Sequence, residues 1–176
     1  GIVLGAGGTA VSPTSTFTVD RGRIVSNSGR NLVMANTTSS SGTLRITGTS
    51  MEQGVGGAGL VARATNLSLN GDVLFPIEVT NTRFSRSAAT LLTPGSSIDL
   101  ATLGTLSGTS QARITATITN NKFVQATNQG DDAITIFHEG AGTSTLTATG
   151  NVINGYQRGI TAIGRMGLLV TTINNN

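Results

Sequence analysis

The 176-residue chain contains no cysteine and no tryptophan, and only 3% of its residues are aromatic. The absence of cysteine excludes a disulfide framework and a thiolate metal site. Charged residues are also scarce, at 11% of the chain, with a net charge of +3 at pH 7. The ten arginines and one lysine are scattered along the sequence, without the basic cluster that nucleic-acid binding requires. We therefore expect no nucleic-acid partner.

Long apolar segments are likewise missing from the sequence. No apolar run approaches the length of a membrane span, and the Gly-rich beginning GIVLGAGGTAVS does not resemble the apolar segment of a signal peptide. We expect no membrane insertion. The chain begins at Gly1 rather than Met and ends in TTINNN, which we interpret as the ends of a processed or excised piece.

The abundant residues are those of strands and turns. The chain has 24 Gly, 29 Thr, 16 Ser and 14 Asn. Thr is β-branched and favours strands, whereas Ser, Asn and Gly favour turns over helix. A chain of this length forms one domain with a single continuous core. The composition therefore predicts a single all-β domain with many short turns.

Six segments repeat one pattern, in which an inward-facing residue is followed five places later by a bulky apolar residue. They read VDRGRI, ITGTSM, VTNTRF, ITNNKF, ATGNVI and the partial INNN, and they begin at Val19, Ile46, Val79, Ile118, Ala148 and Ile173. The intervals between these starts are 27, 33, 39, 30 and 25 residues. Repeats of this period are typical of solenoids.

Each unit contains two further strands. A second apolar segment is predicted at Leu32, Leu60, Leu91, Ile134 and Ile160, and a third strand (TLRIT, FPIEVT, ARITATIT, TLTATG, LLVTT) leads into the next unit. We expect successive units to stack as coils, with equivalent strands pairing in parallel about 4.8 Å apart. Recurring asparagines at the corner after the first strand are predicted to turn the chain and hydrogen-bond along the stack: Asn81, Asn120 or Asn121, Asn151 and Asn174.

The stretches ITNNKFVQATNQGDDAITI and ATGNVINGYQRGITAI resemble the coils of right-handed parallel β-helix proteins. That group includes pectate lyases, polygalacturonases, phage tailspikes and the passenger regions of bacterial surface and secreted proteins. The resemblance covers residues 19–176 as five to six irregular coils of 25–39 residues, with residues 1–18 as a further coil or a cap. It implies an elongated bacterial or phage protein that is extracellular or at the cell surface. A β-sandwich is the alternative fold, and it would show hairpin turns every 8–12 residues or so.

The resemblance leaves the activity open, because this fold hosts enzymes, adhesins and spacers alike. We expect a structural or adhesive module that presents polar Thr, Asn and Ser faces to polysaccharides or surface glycoproteins. An unpaired parallel edge also suggests end-to-end self-association into a fibre. The alternative is a polysaccharide lyase or glycoside hydrolase. A further alternative is an ice-binding solenoid, from TFT at 16–18, TAT at 115–117 and TLTAT at 145–149, although we expect irregular coil lengths to break that array.

The candidate catalytic residues lie around the segment GDDAITIFHEG and are Asp131, Asp132, His138, Glu139 and Arg158. A polygalacturonase-like site needs paired carboxylates, which the adjacent aspartates offer. The family's pattern also includes an Asn-Thr-Asp segment, a Gly-His-Gly and an Arg-Ile-Lys, and none of them occurs in this sequence. A lyase-like site would need several carboxylates converging on Ca²⁺. The eight acids are spread along the chain, so we expect no metal and no cofactor.

A structural interpretation accounts for the same residues. If Ile134 stacks on Ile160, Asp132 lies over Arg158 and Glu139 over Arg165, which predicts two ion pairs between coils. His138 is then expected to be an exposed turn residue. The longest coil, 84–118, contains TPGSSIDLATLGTLSGTSQAR, which we interpret as a polar surface insertion without a role rather than a binding loop.

Overall fold

The fold is built from strands that pair in parallel. The computed structural model describes residues 2–5, 14–26, 33–38, 41–53, 58–66, 72–86, 95–104, 111–126 and 132–176. These residues form strands and turns but no helix. Every strand pairs in parallel with the strand three places earlier or later in the chain, giving three sheets. The chain is therefore all-β, and its sheets are compatible with a parallel β-helix or solenoid.

The three sheets take every third strand in turn. Sheet 1 contains β1 (Ile2–Gly5), β4 (Val33–Thr38), β7 (Leu60–Thr65), β10 (Ile98–Leu103), β13 (Asp132–Glu139) and β16 (Arg158–Arg165). Sheet 2 contains β2 (Thr14–Asp20), β5 (Ser41–Thr47), β8 (Val73–Thr80), β11 (Ala112–Thr119), β14 (Thr143–Thr149) and β17 (Leu168–Asn174). Sheet 3 contains β3 (Arg23–Ser26), β6 (Ser50–Gln53), β9 (Arg83–Arg86), β12 (Lys122–Gln125) and β15 (Val152–Asn154).

The register of sheets 2 and 3 confirms the alignment of the sequence repeats. In sheet 2 the successive Cα partners are Val19, Ile46, Val79, Ile118, Ala148 and Ile173. In sheet 3 they are Ile24, Met51, Phe84, Phe123 and Ile153, each five residues after its counterpart in sheet 2. The corner between these two sheets therefore has a constant length. The variable part of each repeat lies elsewhere.

The register of sheet 1 corrects two of the predicted segments. Ile98 is the Cα partner of both Leu60 and Ile134, so IDLATL, and not the predicted segment at Leu91, forms the strand between them. Leu91 itself lies outside the described residues. In the first repeat, Val33 rather than Leu32 is the partner of Leu60.

The core lies between the sheets and consists of the inward-facing aliphatic and aromatic side chains. Residues that are partners in register occupy the same place in successive rungs, so like side chains stack on like. Phe84 and Phe123 show this most clearly: their rings are stacked, with centroids 4.9 Å apart and an interplanar angle of 8°. Both rings are fully buried. Offset aromatic pairs of this kind add stability beyond the area that they bury.

The corner between sheets 2 and 3 uses two consecutive positions with different roles. The first position has positive φ and is filled by Arg21, Gly48, Asn81, Asn120, Gly150 and Asn175. The second position in the last three rungs is filled by Asn121, Asn151 and Asn176, whose side chains hydrogen-bond along the stack.

In this asparagine ladder, Oδ1 of Asn121 accepts the backbone N–H of Thr82 at 2.9 Å, and its Nδ2 donates to the carbonyl of Val79 at 2.9 Å. The predicted ladder role is confirmed for Asn121 and Asn151. It is wrong for Asn174, which lies in β17, because Asn176 occupies the equivalent position. Asn81 instead occupies the exposed left-handed position.

Candidate functional site

Asp132 begins β13 and is held by neighbouring polar groups. Nε of Arg158 lies 2.5 Å from its Oδ1, and the hydroxyl of Thr135 donates to its Oδ2 at 3.0 Å. Asp132 and Arg158 are Cα partners, as predicted. The Asp132 side chain is 6% exposed, whereas that of Arg158 is 63% exposed. The carboxylate is therefore fixed in a structural ion pair. Asp131, the other half of the proposed acid pair, lies outside the described residues.

His138 is buried, so the prediction that it is an exposed turn residue is wrong. It lies in β13, and its inward position continues the alternation of Ile134 and Ile136. Its Nδ1 is 2.7 Å from Oγ1 of Thr102 and 2.9 Å from Oγ of Ser144. Nε2 is buried and makes no hydrogen bond of good geometry in the described structure. Burial lowers the pKa of His138 below its usual range, and the carbonyl of Gly142 offsets this lowering in part.

Glu139 and Arg165 are Cα partners, as the predicted stacking requires. The side chains of Glu139 and Arg165, both of which the structure describes, do not form an ion pair with each other. The guanidinium of Arg165 lies over the ring of Phe137, 5.5 Å from its centroid. A cation above an aromatic face is attracted by the ring quadrupole. The predicted pairing is thus confirmed for the backbone, whereas the aromatic partner was missed.

The proposed catalytic residues therefore do not converge on one side of the sheet. His138 points into the core, and Glu139 is on the opposite face because successive residues of a strand alternate. The imidazole of His138 is fully buried between two hydroxyls and is not exposed at the surface. Within the ranges that the structure describes, no group of three His, Cys, Asp or Glu residues could hold a metal ion. The candidate residues that the structure describes are therefore not arranged as an acid–base pair or as a metal site.

Most acidic side chains instead bind arginines on adjacent rungs. Glu52 accepts two hydrogen bonds from Arg23, at 2.8 and 2.7 Å, and these lower the pKa of the Glu52 carboxyl below its usual range. The other ion pairs between rungs are Arg45–Glu78 at 2.8 Å, Arg63–Asp99 at 2.6 Å and Arg113–Asp72 at 3.3 Å. These contacts join neighbouring coils at their surfaces. Five of the seven described carboxylates are used in contacts of this kind between rungs.

The outer face of sheet 1 carries a mixed patch centred on an aromatic ring. We call it the Phe137 patch and define it as Arg63, Asp99, Ala101, Thr135, Phe137, Ile163 and Arg165. The central row places Arg63, Ala101, Phe137 and Ile163 side by side on consecutive strands. Arg63 is fixed by Asp99, because its guanidinium donates to the Asp99 carbonyl at 2.8 Å and to Oδ2 of the Asp99 side chain at 2.6 Å. An aromatic ring flanked by arginines is the composition found at the energetic centre of interfaces.

The outer face of sheet 2 is of a different kind. We call it the threonine face and define it as Thr115, Thr117, Thr119, Thr143, Thr145, Thr147 and Thr149, which are outward residues of β11 and β14. The two strands pair with Thr115 beside Thr145, Thr117 beside Thr147, and Thr119 beside Thr149. Two of these rows continue into other rungs, one through Thr80 and Thr47 and one through Thr172.

Irregular coil lengths do not shift the register of this face, contrary to our expectation. The array is nevertheless interrupted, because Arg45, Glu78 and Pro76 lie between TFT at 16–18 and the outward threonines of β11. The intervals between paired residues vary from 25 to 39, yet the register of sheet 2 has no slip from β5 to β17. The extra residues of the long repeats fall between sheets rather than within this one. The signal was present in the sequence, since Thr alternates with buried residues in ARITATIT and TSTLTAT.

Comparison of the chain with models of protein families, with curated proteins and with solved structures found no match. The described residues include no helix long and apolar enough to cross a membrane. The function must therefore be argued from the surfaces described above.

Proposed function

We propose that this chain is a structural or adhesive module of a secreted or cell-surface protein, folded as a right-handed parallel β-helix of five to six coils. Parallel strands joined by crossover connections are right-handed in roughly 98% of cases, which supports the handedness. The observation that carries the structural role is the set of ion pairs between rungs, because five of the seven described carboxylates lie in contacts that hold coils together. The function would then be to hold binding surfaces at fixed distances from one another along a stiff stack of coils.

The surface that best suits adhesion is the Phe137 patch. It combines a half-buried aromatic ring with two arginines and with the hydroxyl of Thr135, which is already oriented by Asp132. Aromatic rings supply apolar contact area at low conformational cost, and arginine donates to planar acceptors in a fixed geometry. A polysaccharide or a surface glycoprotein offers both apolar ring faces and hydroxyl or carboxylate acceptors. We infer that this patch is where such a partner binds.

The test is binding of the purified chain to an array of glycans, followed by analysis of each bound polysaccharide for cleavage products. We expect binding without cleavage, and loss of most binding in Phe137→Ala. The matched control is Thr147→Ala, an outward substitution on sheet 2 that leaves the Phe137 patch intact. Equal loss in both variants, or no binding by the folded parent to glycans or glycoproteins, would contradict the adhesive proposal. Cleavage products would support a lyase or hydrolase instead.

A further inference from the structure

We propose that the threonine face binds ice. This inference does not rest on the adhesive function, because it uses the outer surface of sheet 2 and not the Phe137 patch. Its starting observation is that hydroxyl and methyl groups repeat there in two directions. Along the chain, outward threonines occur at every second residue of β11 and β14, and across the sheet they lie side by side on paired strands.

The spacing of this array follows from strand geometry. Neighbouring strands lie about 4.8 Å apart, and alternate residues on one strand lie about 6.6 Å apart. A surface that repeats in two directions is complementary to a ligand that also repeats in two directions, which is a crystal face and not a single soluble molecule. In one of the continuing rows the hydroxyl of Thr80 donates to that of Thr47 at 3.3 Å, so the hydroxyls of consecutive rungs are ordered relative to each other.

The chemistry of the face favours ice over other crystalline ligands. A mineral surface would require charged groups, and a crystalline polysaccharide would call for aromatic rings to stack on its sugars. Between Thr115 and Thr119 and between Thr143 and Thr149, all outward positions are threonine. Glu78, which lies beside Thr117 on β8, is paired with Arg45. Each threonine offers a hydroxyl that donates one hydrogen bond and accepts two, beside a methyl group. β-Branching restricts χ1, so these groups are held in place before the ligand arrives.

Strand propensity alone does not account for the array. Threonine is favoured in any strand, so it should then be equally common on the other faces. Seven of the eight outward residues of β11 and β14 are threonine, the exception being Arg113. On the adjacent strands β10 and β13 of sheet 1, the outward positions 99, 101, 103, 135, 137 and 139 include one threonine, Thr135. The threonines are concentrated on these two adjacent strands, since β8 and β17 of the same sheet each have one outward threonine, Thr80 and Thr172. This concentration indicates a ligand for β11 and β14.

The test is thermal hysteresis and partition of the chain into growing ice, measured on the parent and on two matched variants. Thr147→Tyr places a bulky ring in the middle of the threonine face. Thr65→Tyr makes the same substitution on the outer face of sheet 1. We expect measurable hysteresis and uptake into ice for the parent, loss of most of both in Thr147→Tyr, and retention in Thr65→Tyr. Circular dichroism and the melting temperature establish that each variant is folded. Thr147→Ser, which keeps the hydroxyl, serves as a second variant that disturbs the fold less, and we expect it to lose less activity than Thr147→Tyr.

Three outcomes would overturn the proposal. The first is a folded parent without hysteresis or uptake into ice. The second is equal loss in Thr65→Tyr and Thr147→Tyr, which would remove the assignment to this face. The third is binding to a crystalline polysaccharide through the threonine face with no binding to ice. Failure of Phe137→Ala to change glycan binding bears on the adhesive proposal alone, so the two can fail separately.

Discussion

At the scale of single residues, the adjacent pair Asn120 and Asn121 shows how one corner divides its roles. Asn120 has φ of +56° and is exposed, so its contribution is conformational. Asn121 is 1% exposed, and its amide hydrogen-bonds two backbone groups of the preceding rung, the N–H of Thr82 and the carbonyl of Val79. A residue at the first corner position must adopt a left-handed backbone conformation without steric strain. A buried side-chain amide must instead find hydrogen-bond partners for both its oxygen and its nitrogen. The same residue type therefore meets two different physical requirements at consecutive positions.

We predict that Asn121→Ala is strongly destabilising and that Asn120→Gly is not. The first substitution strands the buried N–H of Thr82 and the carbonyl of Val79, and each unsatisfied group costs about 1–3 kcal/mol. We expect the free energy of unfolding to fall by about 2–4 kcal/mol. Glycine accepts the left-handed conformation, so Asn120→Gly should change it by less than about 1 kcal/mol. Denaturant unfolding followed by circular dichroism measures both, and similar losses would contradict the division of roles.

His138 gives the fold a dependence on pH near neutrality. Burial depresses its pKa in the folded state, so the unfolded chain takes up the proton first as the pH falls through about 6.5. The contribution of neutral His138 is therefore complete above that pH and is lost as the pH falls towards the lower pKa of the folded state. One proton limits the slope to about 1.4 kcal/mol per pH unit.

We predict that stability decreases from about pH 7 to about pH 5.5, above the range in which ordinary carboxylates titrate. His138→Gln keeps a polar side chain of similar length but has no group that titrates there. Its stability should be lower at pH 7 and nearly independent of pH over this range. Unfolding curves at several pH values measure both. A flat profile in the parent, or the same slope in His138→Gln, would show that His138 does not titrate with folding.

At the scale of strands and sheets, the strands that flank a corner of constant length could be predicted from the sequence. Sheets 2 and 3 are joined by a corner of fixed length. An offset of five residues therefore identified the equivalent positions on the two sheets, such as Val19 and Ile24 or Ile118 and Phe123. Sheet 1 follows loops of variable length, and two short apolar segments, TLLTP and IDLATL, competed for one strand. Hydrophobicity alone could not choose between them. The register of β10 with its neighbours did.

The inward or outward direction of polar residues was predicted less well. His138 precedes Glu139 and Gly140, a polar sequence that suggests a turn, yet the alternation from Ile134 places it inside. The Phe137 patch and the threonine face depend on pairing across strands, which sequence spacing shows only once the register is known. Coil length proved a poor guide to that register. Extra residues between sheets leave the pairing within a sheet unchanged.

We predict that Asp132 and Arg158 are coupled energetically, as a structural pair should be. In a double-mutant cycle of Asp132→Asn and Arg158→Gln, we expect a coupling of about 1–2 kcal/mol, because the Asp132 carboxylate is almost fully buried. Arg45 and Glu78, whose side chains are 58% and 41% exposed, form the matched control between rungs. Their coupling should be below about 1 kcal/mol. Zero coupling at Asp132, together with loss of a polysaccharide-cleaving activity, would restore its catalytic role.

At the scale of the whole molecule, the stacked rungs leave strands that pair on one side only. Among the described strands, β16 pairs with β13 alone and β17 with β14 alone. Large apolar side chains are exposed on these last strands, including Ile163, Leu168, Val170 and Ile173. An unpaired edge with exposed apolar residues is a template for pairing with another strand. In the chain described here, the partner most available at high concentration is a second copy.

We predict that the purified chain self-associates as its concentration rises and that a charge at this edge weakens the association. Ile173 is in register with the buried Ala148 and is 46% exposed, so Ile173→Lys places a charge over the open end of the core. Leu103, also 46% exposed but on β10 in the interior of sheet 1, provides the control Leu103→Lys. Light scattering over a wide concentration range should show association shifted to higher concentration in Ile173→Lys and unchanged in Leu103→Lys. A parent that remains a monomer throughout, or equal effects of the two lysines, would exclude this edge as the contact.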